Sequence, residues 1–183
     1  MTITDQEIAR LRDQVRLLTD RVEISRLIDQ FFVSLDTRDD RPFDDDWARS
    51  LLTEDIAVSF PVGHHQGIDT LVQVEREAMA LFGPTQHLTA NHLIDIDGDR
   101  ATLRWDVIQT HNLREPGRDL FVSAGSYDGE AIRTAVGWRL RYLAYTLAWR
   151  TGQPPVDNTA YQQELKSRLG GPQTLPGATE DLK

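Results

Sequence analysis

Five histidines, His64, His65, His87, His92 and His111, stand in this chain beside an excess of carboxylates, and together they are its main resource for chemistry near neutral pH. His87 is the leading candidate, because a neutral imidazole is the side chain best matched to accepting a proton at pH 7. The segment from His87 to Ile96 reads as a strand, whose period of two places His87, Thr89 and Asn91 on one face and His92 on the other. Such a base needs a carboxylate on its second ring nitrogen, to fix the tautomer and stabilise the imidazolium that forms. The plain alternative for His87 is a hydrogen-bonded polar side chain at a sheet rim.

Other chemistries lack their residues. The chain has no Cys, which removes disulfides, thiolate zinc, iron–sulfur clusters and a thiol nucleophile. It has no G-x-S-x-G, no phosphate-binding Lys loop, no G-x-G-x-x-G and no H-E-x-x-H. Asp36 to Asp46 carries six Asp in eleven residues, yet no start at Asp36, Asp39 or Asp44 supplies the Gly and Glu of a calcium loop. No metal site is expected.

The elements that must hold these residues follow from periodicity. Ile8, Leu11, Val15, Leu18 and Val22 form a narrow helical stripe, which broadens through Ile24, Leu27, Ile28, Phe31, Phe32 and Leu35. The first half of this helix is expected to pack on a neighbour, within the domain or in a second subunit, and the second half on a core. The Asp-rich run with Pro42 ends it, Trp47 to Leu52 resumes a short helix, and Ile56, Val58 and Phe60 alternate as a strand. Pro61 to Gly67 reads as a turn, and Ile68 to Leu81 as a helix with Leu71, Val74 and Ala78 on one face, closed by Gly83-Pro84. Beyond it lie a hairpin of His87–Ile96 and Ala101–Asn112 about Asp97-Gly98, then strands at Leu120–Tyr127 and Ala135–Trp149. On the first hairpin strand Leu88, Ala90, Ile94 and Ile96 are expected opposite His87. An ideal turn at Asp97-Gly98 would pair His92 with Leu103 and send His111 to the His92 side; a longer loop or a bulge would bring it back to His87. Helices first and antiparallel strands after make an α+β fold.

At 183 residues the chain suits one domain with a sizeable core, and 39% hydrophobic with 27% charged residues argues for a globular protein. Residues 1–19 read as an amphipathic helical extension, 20–151 as the domain and 152–183 as a Pro/Gly-rich tail with a helical piece near Tyr161 to Leu169. A net charge of −9 repels nucleic acid and anionic lipid, so neither is an expected partner. The first twenty residues lack the apolar core of a signal peptide, no run is long enough to span a membrane, and a cytoplasmic location is expected.

Four segments carry a resemblance: RLIDQFFVSLDTRDD, LLTEDIAVSF with Gly67, TQHLTANHLIDIDGDRATLRWDV, and GSYDGEAIRTAVGWRLRYLAYTLAW. In order and spacing, from about Asp20 to Trp149, the chain resembles the SnoaL-like branch of the nuclear transport factor 2-like superfamily. That resemblance implies a cone-shaped α+β barrel, a strongly curved sheet wrapped around helices with one deep pocket. It further implies an acid–base pair of Asp36, at the end of the first long helix, and His87, at the start of a strand, as in scytalone dehydratase and hexachlorocyclohexane dehydrochlorinase. Asn91 then falls in the H-x-x-x-N spacing of the dehydrochlorinase, and His111 where scytalone dehydratase has a second pocket His, whereas that enzyme's tyrosine pair is missing. Asn91, Trp105, His111 and Tyr127 are the expected substrate-binding residues. The implied activity is a cofactor-independent lyase or isomerase acting on a small, largely apolar cyclic molecule. A polyketide or epoxide-opening cyclase and a non-catalytic binding or assembly module remain the alternatives, and a homo-oligomer, dimer or trimer, is the expected assembly.

Overall fold

A capping box starts the first helix: the Thr4 hydroxyl accepts from the Glu7 amide while the Glu7 carboxylate accepts from the Thr4 amide at 2.8 Å. From there α1 runs unbroken over Asp5–Asp36, across the expected boundary at residue 20, in a computed structural model that describes residues 4–37, 44–60, 63–114 and 120–152. The tail helix expected near Tyr161 to Leu169 and most of the Asp-rich run lie outside the described residues. Burial on α1 begins at Asp20 and continues through Ile24, Leu27, Ile28, Phe31, Phe32 and Leu35, the broad stripe expected to face a core. The narrow stripe before it is exposed, from 37% at Ile8 to 67% at Val22.

After α1 the order is α2 (Asp45–Leu51), β1 (Leu52–Phe60), β2 (Gly63–Gln66), α3 (Ile68–Ala80), β3 (Phe82–Asp97), β4 (Arg100–Leu113), β5 (Phe121–Thr134) and β6 (Gly137–Thr151). The six strands form one curved sheet in the order β2-β1-β6-β5-β4-β3, antiparallel except where β1 meets β6. This is the expected α+β architecture, with the sheet wrapped about the second half of α1. Its core joins Phe31, Phe32, Ile56, Leu71, Leu103, Trp105, Leu140 and Leu143, each fully buried. Burying a side chain of this size contributes roughly 1.5–3 kcal/mol, so these eight carry much of the stability.

Three local expectations are corrected. Residues 63–66 form a strand rather than a turn, since Val58 pairs with His65 and Phe60 with Gly63. β3 starts at Phe82, running through Gly83-Pro84, because β3 is an edge strand on which a proline forfeits no ladder hydrogen bond, and the β4 register is irregular between Phe82 and Thr85. The β5–β6 turn falls at Ala135-Val136, inside the segment read as a strand, with Gly137 at φ 106°.

The fourth correction decides which histidines share a face. Asp97 pairs with Arg100, so the two-residue turn is Gly98-Asp99, with Gly98 at φ 60°. Continued without interruption, that register would set His111 on the face opposite His87. It shifts by one residue between Ala90 and Leu93, where Asn91 adopts φ 56°, a β-bulge. Beyond it His87 pairs with Gln109 and Thr85 with His111, placing both histidines on the concave face. The same slip turns His92, Ile94 and Ile96 inward with His87, while Leu88, Ala90 and Leu93 face out.

Candidate active site

The free edge of β3 explains how the site is assembled. An edge strand leaves backbone groups unpaired, and α1 lies along it with side chains four and seven residues apart on one helical face, of which Arg21 and Asp36 meet β3 backbone groups and Ser25 and Asp29 meet β3 side chains. Arg21 donates to the Ile94 carbonyl, the Ser25 hydroxyl meets His92 Nδ1 at 2.7 Å, and Thr89 donates to Asp29 at 2.8 Å. Asp36, the last residue of α1, ends this row.

Asp36 holds the start of β3 with three hydrogen bonds. Its Oδ1 accepts from His87 Nδ1 at 2.7 Å and from the Thr85 hydroxyl at 2.8 Å, and its Oδ2 accepts from the His87 amide at 2.8 Å. Partial burial pushes the Asp36 carboxyl up. The hydrogen bonds from the His87 ring and backbone, the His87 charge and the Thr85 hydroxyl outweigh this and hold it below the usual carboxylate range. Asp36 is therefore ionised at neutral pH and accepts only, so Nδ1 of His87 carries the proton and Nε2 keeps its lone pair. The His87 side chain is 1% exposed and that of Asp36 20%. A sheltered imidazole with a bare Nε2, backed by a carboxylate, has the arrangement of a general base.

Aromatic rings surround it. Phe32 lies 5.7 Å from His87 and 5.4 Å from Tyr127, and His111 stands edge-on to His87 at 5.1 Å. Tyr127 stacks on Trp105 at 5.1 Å, and Phe82 and Phe121 flank His111. Trp105 fits flat against β5 because Gly129 has no side chain: a Cβ there would come within 3.2 Å of the indole and 2.9 Å of the Tyr142 carbonyl. The structure thus brings His111 against His87, and Trp105 and Tyr127 against Phe32, which itself touches His87. Asn91 is not brought in: the bulge turns it outward, where its amide donates to Asp106 at 2.7 Å.

Glu75 was not singled out from the sequence, although the signal was present. It falls in helical phase with Ile68, Leu71, Val72 and Met79, a carboxylate in the middle of the buried stripe of α3. It is 7% exposed, and burial pushes its pKa up to about 7. The unfolded chain ionises this group near pH 4.5 and the folded chain near 7, so folding loses stability as pH rises between those values. Glu75→Gln removes that dependence: the stability of the variant relative to wild type is expected to improve by about 3 kcal/mol from pH 4 to pH 8. Urea titrations at both pH values measure this, and a difference that does not change with pH contradicts the burial of an ionisable Glu75.

The comparisons with known proteins bear on the family and the fold. The model of the SnoaL-like domain matches residues 16–144. The chain belongs to the SnoaL-like domain family. This SnoaL-like chain is similar to Kfla4162 from Kribbella flavida, at 27% identity and a TM-score of 0.68 over 80% of this chain and 99% of that one. It shares its fold with a scytalone dehydratase-like protein from Novosphingobium aromaticivorans, 21% identical with a TM-score of 0.66 over 75% and 89% of the two chains. The hexachlorocyclohexane dehydrochlorinase LinA-type3 from Novosphingobium barchaimii is 17% identical with a TM-score of 0.66 over 78% and 96%. No curated protein matches the chain. Among the described residues no helix is long and apolar enough to cross a membrane.

Proposed function

We propose that this SnoaL-like protein is a cofactor-independent lyase or isomerase in which His87, oriented by Asp36, removes a proton from carbon. The observation that carries this reading is the double hold of Asp36 on His87, through ring and backbone amide, which leaves Nε2 as the free basic atom beside aromatic rings. The C–H electron pair moves into the substrate, where it expels a leaving group or shifts a double bond. His111, Trp105 and Tyr127 offer an apolar and aromatic wall, which suits a small cyclic molecule. The scytalone dehydratase-like and dehydrochlorinase neighbours support elimination as the outcome. Incubating the protein with a panel of cyclic ketones and halides in deuterium oxide tests it by NMR. Deuterium entry or elimination above the buffer rate is expected for at least one class, and a panel that reacts no faster than buffer contradicts a carbon-acid base.

The working assembly is proposed to be a homo-oligomer in which the exposed stripe of α1, Leu11, Val15, Leu18 and Val22, meets another subunit. Removing residues 1–19 is then expected to lower the mass seen by light scattering below that of the full-length assembly, and an assembly unchanged in subunit number contradicts that contact.

A further inference from the structure

α1 carries two apolar faces, and the sheet covers only one of them. Ile24, Leu27, Ile28, Phe31, Phe32 and Leu35 share the side that packs into the core. Ile8, Leu11, Val15, Leu18 and Val22 centre roughly 150° around the helix from that side, at 3.6 residues per turn. Arg21, Ser25 and Asp29, which reach β3, lie between the two faces. The stripe is therefore no overrun of the core-facing side. It points away from the chain's own sheet, and all five of its side chains are exposed.

The residue types on this stripe select one kind of partner. In heptad positions, Ile8, Val15 and Val22 stand at a, and Leu11 and Leu18 at d. β-Branched residues at a with leucine at d favour two parallel strands. Beside the stripe, Glu7 falls at g and Arg12 at the following e, the two positions that face one another across a parallel two-stranded coil. The capping box engages Glu7 through Oε2, and Arg12 makes no ion pair among the described residues, so both charges are available to a second chain. Thr4 to Val22 holds four acidic and four basic residues, so this stretch is neutral in a chain of net charge −9, and two copies meet there without net repulsion.

We propose that α1 pairs with α1 of a second copy as a parallel, in-register, two-stranded coiled coil over Ile8 to Val22. This rests on the subunit contact proposed above and deepens it by fixing the number, direction and register of the strands. Parallel pairing sets each of the five apolar positions on its own counterpart and forms the Glu7–Arg12 contact twice. The two best antiparallel registers each keep four apolar layers and separate Glu7 from Arg12. Because the stripe faces away from the core, the two sheets lie on the outer sides of the helix pair and do not collide. The helix is already formed, held by its packed second half and the Thr4–Glu7 cap, so association does not bear the cost of nucleating it. Asp36 lies roughly 20 Å beyond Val22 along α1, so the coil is remote from the proton-transfer site.

The chain has no cysteine, so single cysteines in the full-length protein report the geometry without background. Ile8→Cys and Leu18→Cys, oxidised at micromolar concentration, are each expected to give disulfide-linked dimers on a denaturing gel, and Asp13→Cys, on the opposite side of the helix, is not. Removing residues 1–19 should halve the subunit number seen by light scattering. Arg12→Glu, which sets like charges against Glu7 twice, is expected to raise the dissociation constant about tenfold at low salt and less at molar salt. An unchanged dissociation constant overturns the Glu7–Arg12 pairing. Loss of two thirds of the mass on deletion overturns the two-stranded form. Failure of both Ile8→Cys and Leu18→Cys to link to their own kind overturns parallel pairing: a mass that still falls on deletion leaves the subunit contact standing, and an unchanged mass removes that contact as well.

Discussion

His87→Gln is expected to lower turnover by ~10²–10⁴ in the deuterium-oxide assay, the usual contribution of a positioned general base, with the unfolding midpoint little changed. Asp36→Asn should approach the same loss for a different reason. The amide that replaces the carboxylate brings an N–H donor toward Nδ1, which favours the tautomer with the proton on Nε2, where it blocks the base. The Thr85 hydroxyl and the His87 amide would also meet a weaker acceptor, since both now donate to the charged Asp36 carboxylate. Circular dichroism and a urea titration on each variant separate lost chemistry from lost fold. Asp36→Asn at full activity would remove Asp36 from the mechanism.

The largest effect on stability is expected away from the site, at Arg133→Met. Asp20, where α1 enters the core, is 6% exposed and accepts from Arg133 Nη2 at 2.5 Å and from Trp138 Nε1 at 3.1 Å. The Arg133 guanidinium also donates to Asp99 at 3.0 Å and lies 4.5 Å over the Trp138 ring. The hydrogen bond from Arg133 is the largest of the effects that hold the Asp20 carboxyl below its ordinary value. Losing the arginine strands a buried carboxylate, which costs roughly 3–5 kcal/mol, well above the ~1 kcal/mol of an exposed pair. Arg104→Met, which breaks an exposed pair with Asp128, is the control and should cost less than ~1 kcal/mol. Equal losses in the two variants would show that the Asp20 cluster does not tie α1 to the β5–β6 hairpin.

How far the sequence was readable depends on the range of the interaction that decides each feature. The two stripes of α1 and the alternation of β4 are local periodicities, and both were legible. Asp36 and His87 were legible through resemblance and the chemistry of an imidazole base, while their contact, across 51 residues, needs the fold. The bulge was legible only as a need, since a two-residue turn set His111 on the wrong face. Its location at Asn91 depends on a positive φ that asparagine tolerates but does not announce. The inward turn of His92 and the outward turn of Asn91 follow from that one residue. β2 was hidden because GHHQ has turn-like composition and becomes a strand only by pairing with β1. Glu75 was missed because apolar positions were counted on α3 without asking which polar residue shared their phase.

The most direct test of the Asp36–His87 account is the tautomer of His87, read by long-range nitrogen–proton NMR on protein labelled at the histidine rings, at pH 8 in wild type and Asp36→Asn. The account predicts a protonated Nδ1 and a bare Nε2 in wild type, with the proton moving toward Nε2 in the variant. A wild-type ring protonated on Nε2, or one tautomer common to both proteins, would contradict it.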